Sequence, residues 1–520
     1  MAKRVRYPVG QQSFEVLREQ NRLYIDKTRF IEELLFGGNY YFLSRPRRFG
    51  KSLFLSTLKC FFQAKRHLFK GLYADSMEWD WQEYPVFYLD LNTGEYTDGE
   101  NLTQRLHRHL EEWEDKYGNQ YADREVGERF EHLLRLAYQK TGRRAVILVD
   151  EYDKPLVNNL NDSERFEQFR NQLSALYSNF KSGADYIRMV FLTGVSRFGK
   201  LSVFSGLNNI DDISFDDAYS DICGISEEEL LSNFQIGIET LSQKYNTLPE
   251  ETCAELKRRY DGYRFSSEGK EMYNPYSLMK VMDKERYGNY WIESGQPTLL
   301  KEQLKHCNAD LNKLINTKCS LEAMKGLDYD NPRPVALLYQ SGYLTIKGYD
   351  QATDIYTLGL PNREVEEGFL SYLLPVYANL HQYDTRFFVV EFVNEFNRGD
   401  VQAFMRRLKS MFSAVSYDME MEQEQNIHNA LLILMMLVGL DVRTEYRTSN
   451  GRIDLFVVTE KFYYIIELKL DGSAKEALDQ IENKEYALPF KTGNRRIIKI
   501  GANFSSDTRT ISEWVSDPAY

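Results

Sequence analysis

Two groups of residues in this sequence have types and spacings that suit phosphate chemistry, and the first contains Gly50-Lys51-Ser52. An apolar run that ends at Leu43 leads into this group, and an apolar helical pattern follows it. Amides at a helix N-terminus attract phosphate, a lysine there can reach the β and γ phosphates of a nucleotide, and a serine hydroxyl can ligate magnesium. The segment predicts a nucleotide-binding loop; a helix cap beside a surface basic cluster is the plainer alternative.

The predicted loop is basic and departs from the usual pattern at its start. In Ser44-Arg-Pro-Arg-Arg-Phe-Gly-Lys-Ser52, Arg45 stands where such loops normally have glycine, and Pro46 removes one amide donor. An arginine there narrows the conformations open to the loop. Three further loop residues are assigned to nucleotide binding; they are Arg47, Arg48 and Phe49.

Two adjacent acids end another apolar run, Val146-Ile-Leu-Val-Asp-Glu151. If this run is a parallel strand, Asp150 would hold magnesium through water and Glu151 would orient or deprotonate the attacking water. The next apolar run carries Thr193 and Arg197 off the same edge, where they are predicted to sense the γ phosphate. The plain alternative is a strand that ends in solvated acids, followed by turn residues.

The second group of chemical residues is Asp454, Glu467 and Lys469, on predicted strands Ile453–Val458 and Tyr463–Leu470. A hairpin turn between these strands puts Asp454 opposite Glu467, and Lys469 shares a face with Glu467 because it lies two residues further along. Facing carboxylates could bind one divalent ion, and the amine could position a nucleophile. This arrangement predicts metal-dependent phosphodiester cleavage, and the alternative is a hairpin whose polar face meets water.

Several flanking residues agree with a site at this hairpin. Glu424 is a candidate further metal ligand, whereas His428, four residues later, is interpreted as a packing or hydrogen-bonding residue. Gly451-Arg-Ile-Asp454 predicts a tight entry into the first strand. Gln480, on the following helix, is assigned to the site or to DNA contact; Tyr486 lies six residues on and does not share its helix face.

The elements that must position the first group alternate between strand and helix. Apolar runs rich in β-branched and aromatic residues predict strands, and helical-period stretches of crossover length lie between them. The pattern indicates an α/β fold with a parallel sheet covered by helices on both faces. The predicted strands are Tyr40–Leu43, Val86–Leu91, Ala145–Val149 and Met189–Leu192, and the predicted helices are Ser52–Phe62, Leu102–Lys116, Arg129–Gln139 and Ser163–Phe180.

After residue 225 the pattern becomes mainly helical, and Ser226 with Glu229 forms a capping-box signal. The aromatic turn segments Tyr260–Phe265 and Tyr273–Tyr276 are interpreted as packing of a helical lid against the nucleotide-binding core. A helix end and two strands between residues 337 and 358 suggest a small winged-helix-like element. We therefore expect domains at residues 1–225, 226–400 and 401–520.

Composition limits the class of protein. The 520 residues exceed one ordinary domain, and a hydrophobic share of 42% against 27% charged excludes a largely disordered chain. The net charge of −12 opposes a surface that binds nucleic acid throughout, so phosphate ligands must be met by local charge. The apolar run 430–440 is too short for a membrane span, and 5 scattered cysteines without a secretory signal favour the cytoplasm.

Several of these strings together resemble one family, the bacterial AAA-ATPase-like proteins that join a P-loop domain to a C-terminal PD-(D/E)XK nuclease-like domain. The loop form with arginine in place of the first glycine is typical of that family. The strings are Tyr24-Ile-Asp-Lys-Thr28, Arg45-Pro-Arg-Arg-Phe-Gly-Lys-Ser52, Val149-Asp-Glu-Tyr-Asp-Lys-Pro155, Thr193-Gly-Val-Ser-Arg-Phe198, Gly451-Arg-Ile-Asp454, Ile465-Ile-Glu-Leu-Lys469, and Gln480-Ile481 followed by Tyr486.

The resemblance implies ATP and Mg²⁺ as cofactors and DNA as the partner of the C-terminal domain. Our leading hypothesis is an ATP-hydrolysing protein whose nucleotide state controls a magnesium-dependent deoxyribonuclease, in mobile-DNA processing or defence. One alternative is an ATP-switched protein that binds DNA without cutting it. Another is an ATP-driven scaffold in which both sites hold protein domains together. No membrane partner is expected, and a homo-oligomer is compatible with the sequence, which also leaves open whether Arg197 or Lys154 acts across a subunit boundary.

Overall fold

The computed structural model describes most of the chain, and its described residues divide into two compact units. The first unit holds the described residues up to Ser294 together with Thr317–Glu364, and the second holds Asn316 and the described residues from Val365 on. Apart from a few isolated positions, the described residues are 5–94, 101–119, 123–197, 209–294, 316–326, 334–378, 382–413, 441–448, 450–491, 493–508 and 510–518.

The first unit is built on a parallel sheet in which the described strands have the order β2-β3-β4-β1-β5. All six residues of β3 are buried, as expected for a strand covered on both faces. The predicted parallel α/β architecture is confirmed. The strands are β1 Tyr40–Ser44, β2 Val86–Asp90, β3 Ala145–Asp150, β4 Ile187–Gly194 and β5 Asp211–Asp212.

Helices follow the strands as the sequence predicts, and helix Lys51–Phe62 packs against β2, β3 and β4 while helix Val126–Thr141 packs against β3. In chain order, the α-helices before the end of β5 are Phe14–Glu19, Arg29–Phe36, Lys51–Phe62, Asn101–Tyr117, Val126–Thr141, Lys154–Val157 and Ser163–Ser182.

The middle region is helical and ends in a small sheet. The capping box predicted for Ser226 and Glu229 is present, with reciprocal side-chain to backbone hydrogen bonds. The helices are Glu227–Asn233, Gln235–Tyr245, Pro249–Tyr260, Pro275–Lys284, Tyr290–Glu293, Leu321–Lys325 and Pro334–Gln340. The strands are β6 Lys318–Cys319, β7 Thr345–Asp350 and β8 Ile355–Gly359, in the order β6-β8-β7, which fits the predicted winged-helix-like element.

The second unit contains a mixed sheet in the order β13-β12-β11-β10-β9, with β11 and β12 parallel and the other described pairs antiparallel. Helix Ala474–Asn483 connects the parallel pair and packs against β11, β12 and β13. The strands are β9 Asp441–Thr448, β10 Gly451–Val458, β11 Phe462–Leu470, β12 Arg496–Ser505 and β13 Thr510–Asp517. The other helices are Arg363–Ala378, whose first two residues belong to the first unit, Gln382–Arg398 and Val401–Ser413.

Within the described part of the chain, the longest helices carry too many polar and charged residues to cross a bilayer, and none meets the length and apolarity that a membrane span requires.

Candidate functional site

The predicted nucleotide-binding loop joins β1 to helix Lys51–Phe62. Gly50 precedes the helix with φ of 101°, a conformation that favours glycine, so the loop can turn sharply into the helix. The Lys51 side chain is buried, and its ammonium donates hydrogen bonds to the carbonyls of Arg45 at 2.8 Å and Pro46 at 3.2 Å. A buried cation that donates to two backbone carbonyls at a helix N-terminus is suited to receive an anion.

Arg45 anchors the base of this loop, which explains an arginine at the usual glycine position. Its guanidinium is buried and donates to the carbonyls of Ser44 at 2.9 Å, Ser214 at 2.7 Å and Tyr219 at 3.1 Å. It also lies over the Phe265 ring at 4.3 Å. Burial lowers the pKa of Arg45 from its ordinary value, but the carbonyl partners compensate the charged form. The arginine therefore fixes the loop rather than offering its charge to a ligand.

The next three loop residues are held by aromatic rings of the middle region. Three of these rings belong to the aromatic turn segments, in agreement with the predicted packing of those segments against the nucleotide-binding core. These contacts leave backbone amides, rather than the three side chains, as the groups the residues offer to phosphate. The pairs are Arg47 over Trp291 at 5.2 Å, Arg48 over Tyr276 at 4.8 Å, and Phe49 at 4.7 Å from Tyr263 and 5.2 Å from Phe265.

The two acids at the end of β3 lie beside Thr193 at the end of β4. The Thr193 hydroxyl donates to Asp150 Oδ1 at 2.9 Å, and the Tyr88 hydroxyl donates to Asp150 Oδ2 at 3.3 Å. Burial raises the pKa of Glu151, while the charge of Lys51 acts in the opposite direction. A carboxylate with a raised pKa is a better proton acceptor than an ordinary glutamate. The structure thus brings Lys51, Asp150, Glu151 and Thr193 together.

Asp153 supports the same edge, although no role was predicted for it from the sequence. Its buried carboxylate accepts the backbone N–H of Val195 at 3.1 Å and of Ser196 at 2.5 Å. A Cβ at Gly194 would lie 2.6 Å from Asp153 Oδ1, so glycine is required for this approach. The position of Asp153, three residues after Asp150, is the signal that could have drawn attention to it.

Arg197 and Lys154 have partners of their own within the chain. The Arg197 guanidinium pairs with Asp212 at 2.9 Å, and its backbone N–H donates to Gln340 Oε1 at 2.9 Å. Lys154 donates to Asn92 Oδ1 at 2.9 Å and to the Asn92 carbonyl. The sensor role of Arg197 and the action of either residue across a subunit boundary stay predictions.

A cavity of about 80 Å³ opens beside the helix N-terminus. Its walls are largely apolar and come from the N-terminal segment, the loop and the middle helices, including Pro8, Tyr24, Gly50, Cys223 and Met279. A flat aromatic group with few charged atoms fits such a lining, and the nearby helix N-terminus offers amides to phosphate. The cavity and the loop together could hold a nucleotide.

Trp291 connects the loop to a buried acid. Its indole N–H donates to the Arg47 carbonyl at 3.1 Å, and its backbone N–H donates to Glu364 Oε1 at 2.7 Å. Glu364 is 1% exposed, and burial raises its pKa to about 8. Nothing in the local sequence marks Glu364, because its partners are distant along the chain.

Glu364 should make the stability of the first unit depend on pH. Its folded pKa exceeds the unfolded value, so the folded state keeps a proton that the unfolded state releases, and stability falls as pH rises from about 4.5 to about 8. The loss is about 1.4 kcal/mol per pH unit at most. Thermal unfolding across this range should show a flatter profile for Glu364→Gln than for wild type or the exposed control Glu268→Gln. Equal slopes would contradict the assignment.

The second candidate site lies on the β10–β11 hairpin, and the predicted register is confirmed. Leu455 pairs with Ile466, and the pairing continued by one residue puts Asp454 opposite Glu467. The two carboxyl groups are close enough for Asp454 to contribute to the raised pKa of Glu467. Asp454 Oδ2 also accepts the Leu468 N–H at 2.9 Å, which fixes its carboxyl group on the hairpin.

Glu467 and Lys469 are joined by Gln480 from helix Ala474–Asn483. Gln480 Nε2 donates to Glu467 Oε1 at 3.0 Å, and Lys469 Nζ donates to Gln480 Oε1 at 2.6 Å. Burial, together with the adjacent Asp454, raises the pKa of Glu467 well above its usual range. Two carboxyl groups, Asp454 and Glu467, lie here beside one amine, Lys469. A divalent cation would balance the negative charge of the two ionised acids.

The pair of acids fits a magnesium ion that keeps several waters. Among the described residues there is no cluster of three or more histidine, cysteine, aspartate or glutamate side chains with metal-site geometry. Mg²⁺ is commonly bound through one or two carboxylates with water completing the octahedron, so Asp454 and Glu467 suffice. Glu424, the predicted additional ligand, lies outside the described residues, as does His428.

Tyr486 makes a separate contact at the entry to β10. Its hydroxyl accepts the Arg452 N–H at 3.2 Å, and a Cβ at Gly451 would lie 2.7 Å from that hydroxyl. Gly451 has φ of 149°, so both space and backbone conformation favour glycine. Gln480 and Tyr486 therefore serve different parts of the hairpin, in line with the expectation that they share no helix face.

Comparison with known proteins finds two matching family models and one full-length relative. The model of the AAA-ATPase-like family, described as a predicted AAA-ATPase, matches residues 8–204, and that of the PD-(D/E)XK nuclease superfamily matches residues 422–514. A relative from Azotobacter chroococcum mcd 1, described as an uncharacterized protein in the vnfD 5' region, is 33% identical over 527 residues, covering 98% of this chain and 99% of the relative. The chain belongs to the family of proteins that join a predicted AAA-ATPase-like domain to a C-terminal PD-(D/E)XK nuclease-superfamily domain.

Proposed function

We propose that the protein hydrolyses ATP at the loop before helix Lys51–Phe62 and cleaves DNA with Mg²⁺ at the β10–β11 hairpin, under control of its nucleotide state. The observation that carries the cleavage proposal is the convergence of Asp454, Glu467 and Lys469, with Gln480 joining the last two. A buried acid pair with a nearby amine is the combination that phosphodiester hydrolysis needs.

At the nucleotide site, the loop amides and Lys51 would hold the β and γ phosphates. Lys51 would then exchange its two carbonyl partners for phosphate oxygens. Ser52 and Asp150 would hold Mg²⁺, and the Thr193 hydroxyl keeps the Asp150 carboxylate in place. Glu151 would accept a proton from the attacking water, a task that its raised pKa favours.

At the hairpin, Asp454 and Glu467 would hold Mg²⁺, which would supply charge neutralisation and a water of lowered pKa. The Leu468 N–H keeps one oxygen of Asp454 in place, and Gln480 does the same for Glu467. Lys469 can turn from Gln480 toward a phosphate oxygen or the nucleophile.

We further propose that DNA is the partner of this unit and that the chain assembles with itself.

The test is plasmid cleavage by the purified full-length protein with Mg²⁺, with and without ATP. We expect nicked or linear products whose rate changes when ATP is added, and we expect Glu151→Gln to bind ATP but to lose its turnover. If the protein binds plasmid in Mg²⁺ or Mn²⁺ but yields no cleavage products, the result favours the alternative of a protein that binds DNA without cutting it. Absence of both ATP and DNA binding would reject the proposed function.

A further inference from the structure

The carboxyl group of Asp150 is held by hydroxyl groups from both neighbouring strands. Thr193 on β4 donates to Oδ1 at 2.9 Å, and Tyr88 on β2 donates to Oδ2 at 3.3 Å. Asp150 and Thr193 are both buried. Because a buried carboxylate needs hydrogen-bond donors in place of water, the two hydroxyls stabilise the ionised form that a cation requires.

The two donors act on different oxygens of Asp150, which fixes the plane of its carboxyl group. The terminal torsion of an aspartate is broad, so a single hydrogen bond leaves the group free to rotate over a wide range. One donor on each oxygen, from the strands on either side of β3, restricts it to one orientation. Loss of either hydroxyl therefore releases the carboxyl group.

Tyr88 is placed for this contact by the register of the sheet. It pairs with Leu148 on β3, and Asp150 lies two residues further along, so the Tyr88 and Asp150 side chains leave the same face of the sheet. Helix Lys51–Phe62 packs against β2 and β3, and the Lys59 ammonium lies 5.1 Å from the centre of the Tyr88 ring. The ring is thus held between the helix that follows the nucleotide loop and the acid at the end of β3.

We propose that Tyr88 is a positioning residue for the magnesium ion that accompanies ATP. The tyrosine acts through Asp150, whose carboxylate would hold the cation, and not on the nucleotide itself. Removing a hydrogen-bond partner that orients a metal-binding group typically costs about 10- to 100-fold in metal affinity or activity. The inference rests on the proposed function, since it assumes that ATP and Mg²⁺ bind at the loop before helix Lys51–Phe62.

The test measures ATP binding to the full-length protein by isothermal titration, once with Mg²⁺ and once in EDTA. The ratio of the two affinities gives the contribution of the cation. For Tyr88→Phe we expect this ratio to fall about tenfold, because the ring is kept while the orienting hydroxyl is lost. The affinity in EDTA should equal that of wild type, because Lys51 and the loop amides are unchanged.

Hydrolysis should show the same separation. The KM of Tyr88→Phe for ATP in Mg²⁺ should rise about tenfold. Its kcat should stay close to that of wild type, since saturation with ATP and Mg²⁺ compensates for a weaker hold on the cation. A loss confined to kcat would contradict a role in positioning the cation.

Thr193→Val shows whether the two hydroxyls act together. Either substitution alone releases the Asp150 carboxyl group, so the second should add little. The double variant Tyr88→Phe/Thr193→Val should therefore lose less of the magnesium ratio than the product of the two single losses. Losses that multiply fully would mean that the hydroxyls act independently, against the proposal.

The matched control is Tyr40→Phe, which removes a tyrosine hydroxyl from β1 of the same sheet. That hydroxyl is buried and donates to the Phe180 carbonyl at 3.0 Å. Tyr40 pairs with Val190, three residues before Thr193, and so lies away from the edge that carries the acids. The control also loses one buried hydrogen bond, so it should lower the unfolding temperature without changing the magnesium ratio.

Two binding results would overturn the positioning role and leave the proposed function standing. One is a wild-type magnesium ratio in Tyr88→Phe. The other is an equal loss of affinity with Mg²⁺ and in EDTA together with a lower unfolding temperature, which indicates a structural role. A wild-type protein that binds ATP no better with Mg²⁺ than in EDTA, or does not bind it, would reject the magnesium assignment at Asp150 together with the role of Tyr88.

Discussion

Glu467→Gln is expected to reduce magnesium-dependent DNA cleavage by about a thousandfold. The substitution removes one of the two carboxylates that would hold the cation, and the charge stabilisation supplied by a metal is worth several kcal/mol in the transition state. Glutamine keeps the size of the side chain and can still accept the hydrogen bond from Gln480. The measurement is the initial rate of plasmid nicking at saturating Mg²⁺.

The same substitution should change stability in the metal-free protein. The folded pKa of Glu467 is raised, so the folded state retains a proton that the unfolded state loses, and wild-type stability should decline as pH rises above about 4.5. Glu467→Gln should flatten this decline in thermal unfolding with EDTA present. Adding Mg²⁺ should raise the unfolding temperature of wild type and leave that of the variant nearly unchanged.

Glu460→Gln is the matched control, because Glu460 is an exposed acid in the turn of the same hairpin. It should cleave at the wild-type rate and keep the wild-type dependence of stability on pH. Cleavage that survives Glu467→Gln unchanged would remove the hairpin from the proposed mechanism, whatever the stability data show.

Lys51→Ala is expected to weaken ATP binding by about a hundredfold and to abolish detectable hydrolysis. Truncating one partner of a buried charge-assisted contact costs about 3 kcal/mol, which corresponds to that loss in affinity. Lys51 is 4% exposed, so water cannot replace its contact with phosphate. Isothermal titration of the full-length protein with ATP and Mg²⁺ measures the affinity, and phosphate release measures the hydrolysis.

Two variants make the Lys51 result specific. Lys181→Ala removes an exposed lysine near the end of helix Ser163–Ser182 and should bind ATP as wild type does. Lys51→Arg keeps the charge but is too large for a site lined by the loop carbonyls, so it should bind ATP poorly as well. Wild-type affinity in Lys51→Ala would place the nucleotide elsewhere.

Much of the framework follows from local patterns in the sequence. Apolar runs of strand length gave β1 to β4 to within about two residues, because a buried parallel strand must be continuously apolar. The relation between Asp454 and Glu467 was also predictable, since a short turn fixes the register of a hairpin and register fixes which side chains face each other.

The support of the nucleotide loop could not be predicted in the same way. Arg45 reads as a departure from a motif, and only its contacts with Ser214 and Tyr219, about 170 positions away in the chain, show that it anchors the loop. The raised pKa of Glu364 similarly results from its burial beside Trp291. Such roles depend on tertiary contacts that have no periodicity in the sequence. The domain boundaries near residues 225 and 400, and the roles assigned to individual site residues, stay predictions.

The indole of Trp291 gives the nucleotide loop its own optical signal. Its N–H is bonded to the Arg47 carbonyl, and its ring lies beneath the Arg47 side chain. Tryptophan emission responds to the polarity and hydrogen bonding around the indole, so a rearrangement of the loop alters the fluorescence of the untagged protein. Subtracting the spectrum of Trp291→Phe isolates this signal from the other four tryptophans, and rapid mixing then follows the loop in time.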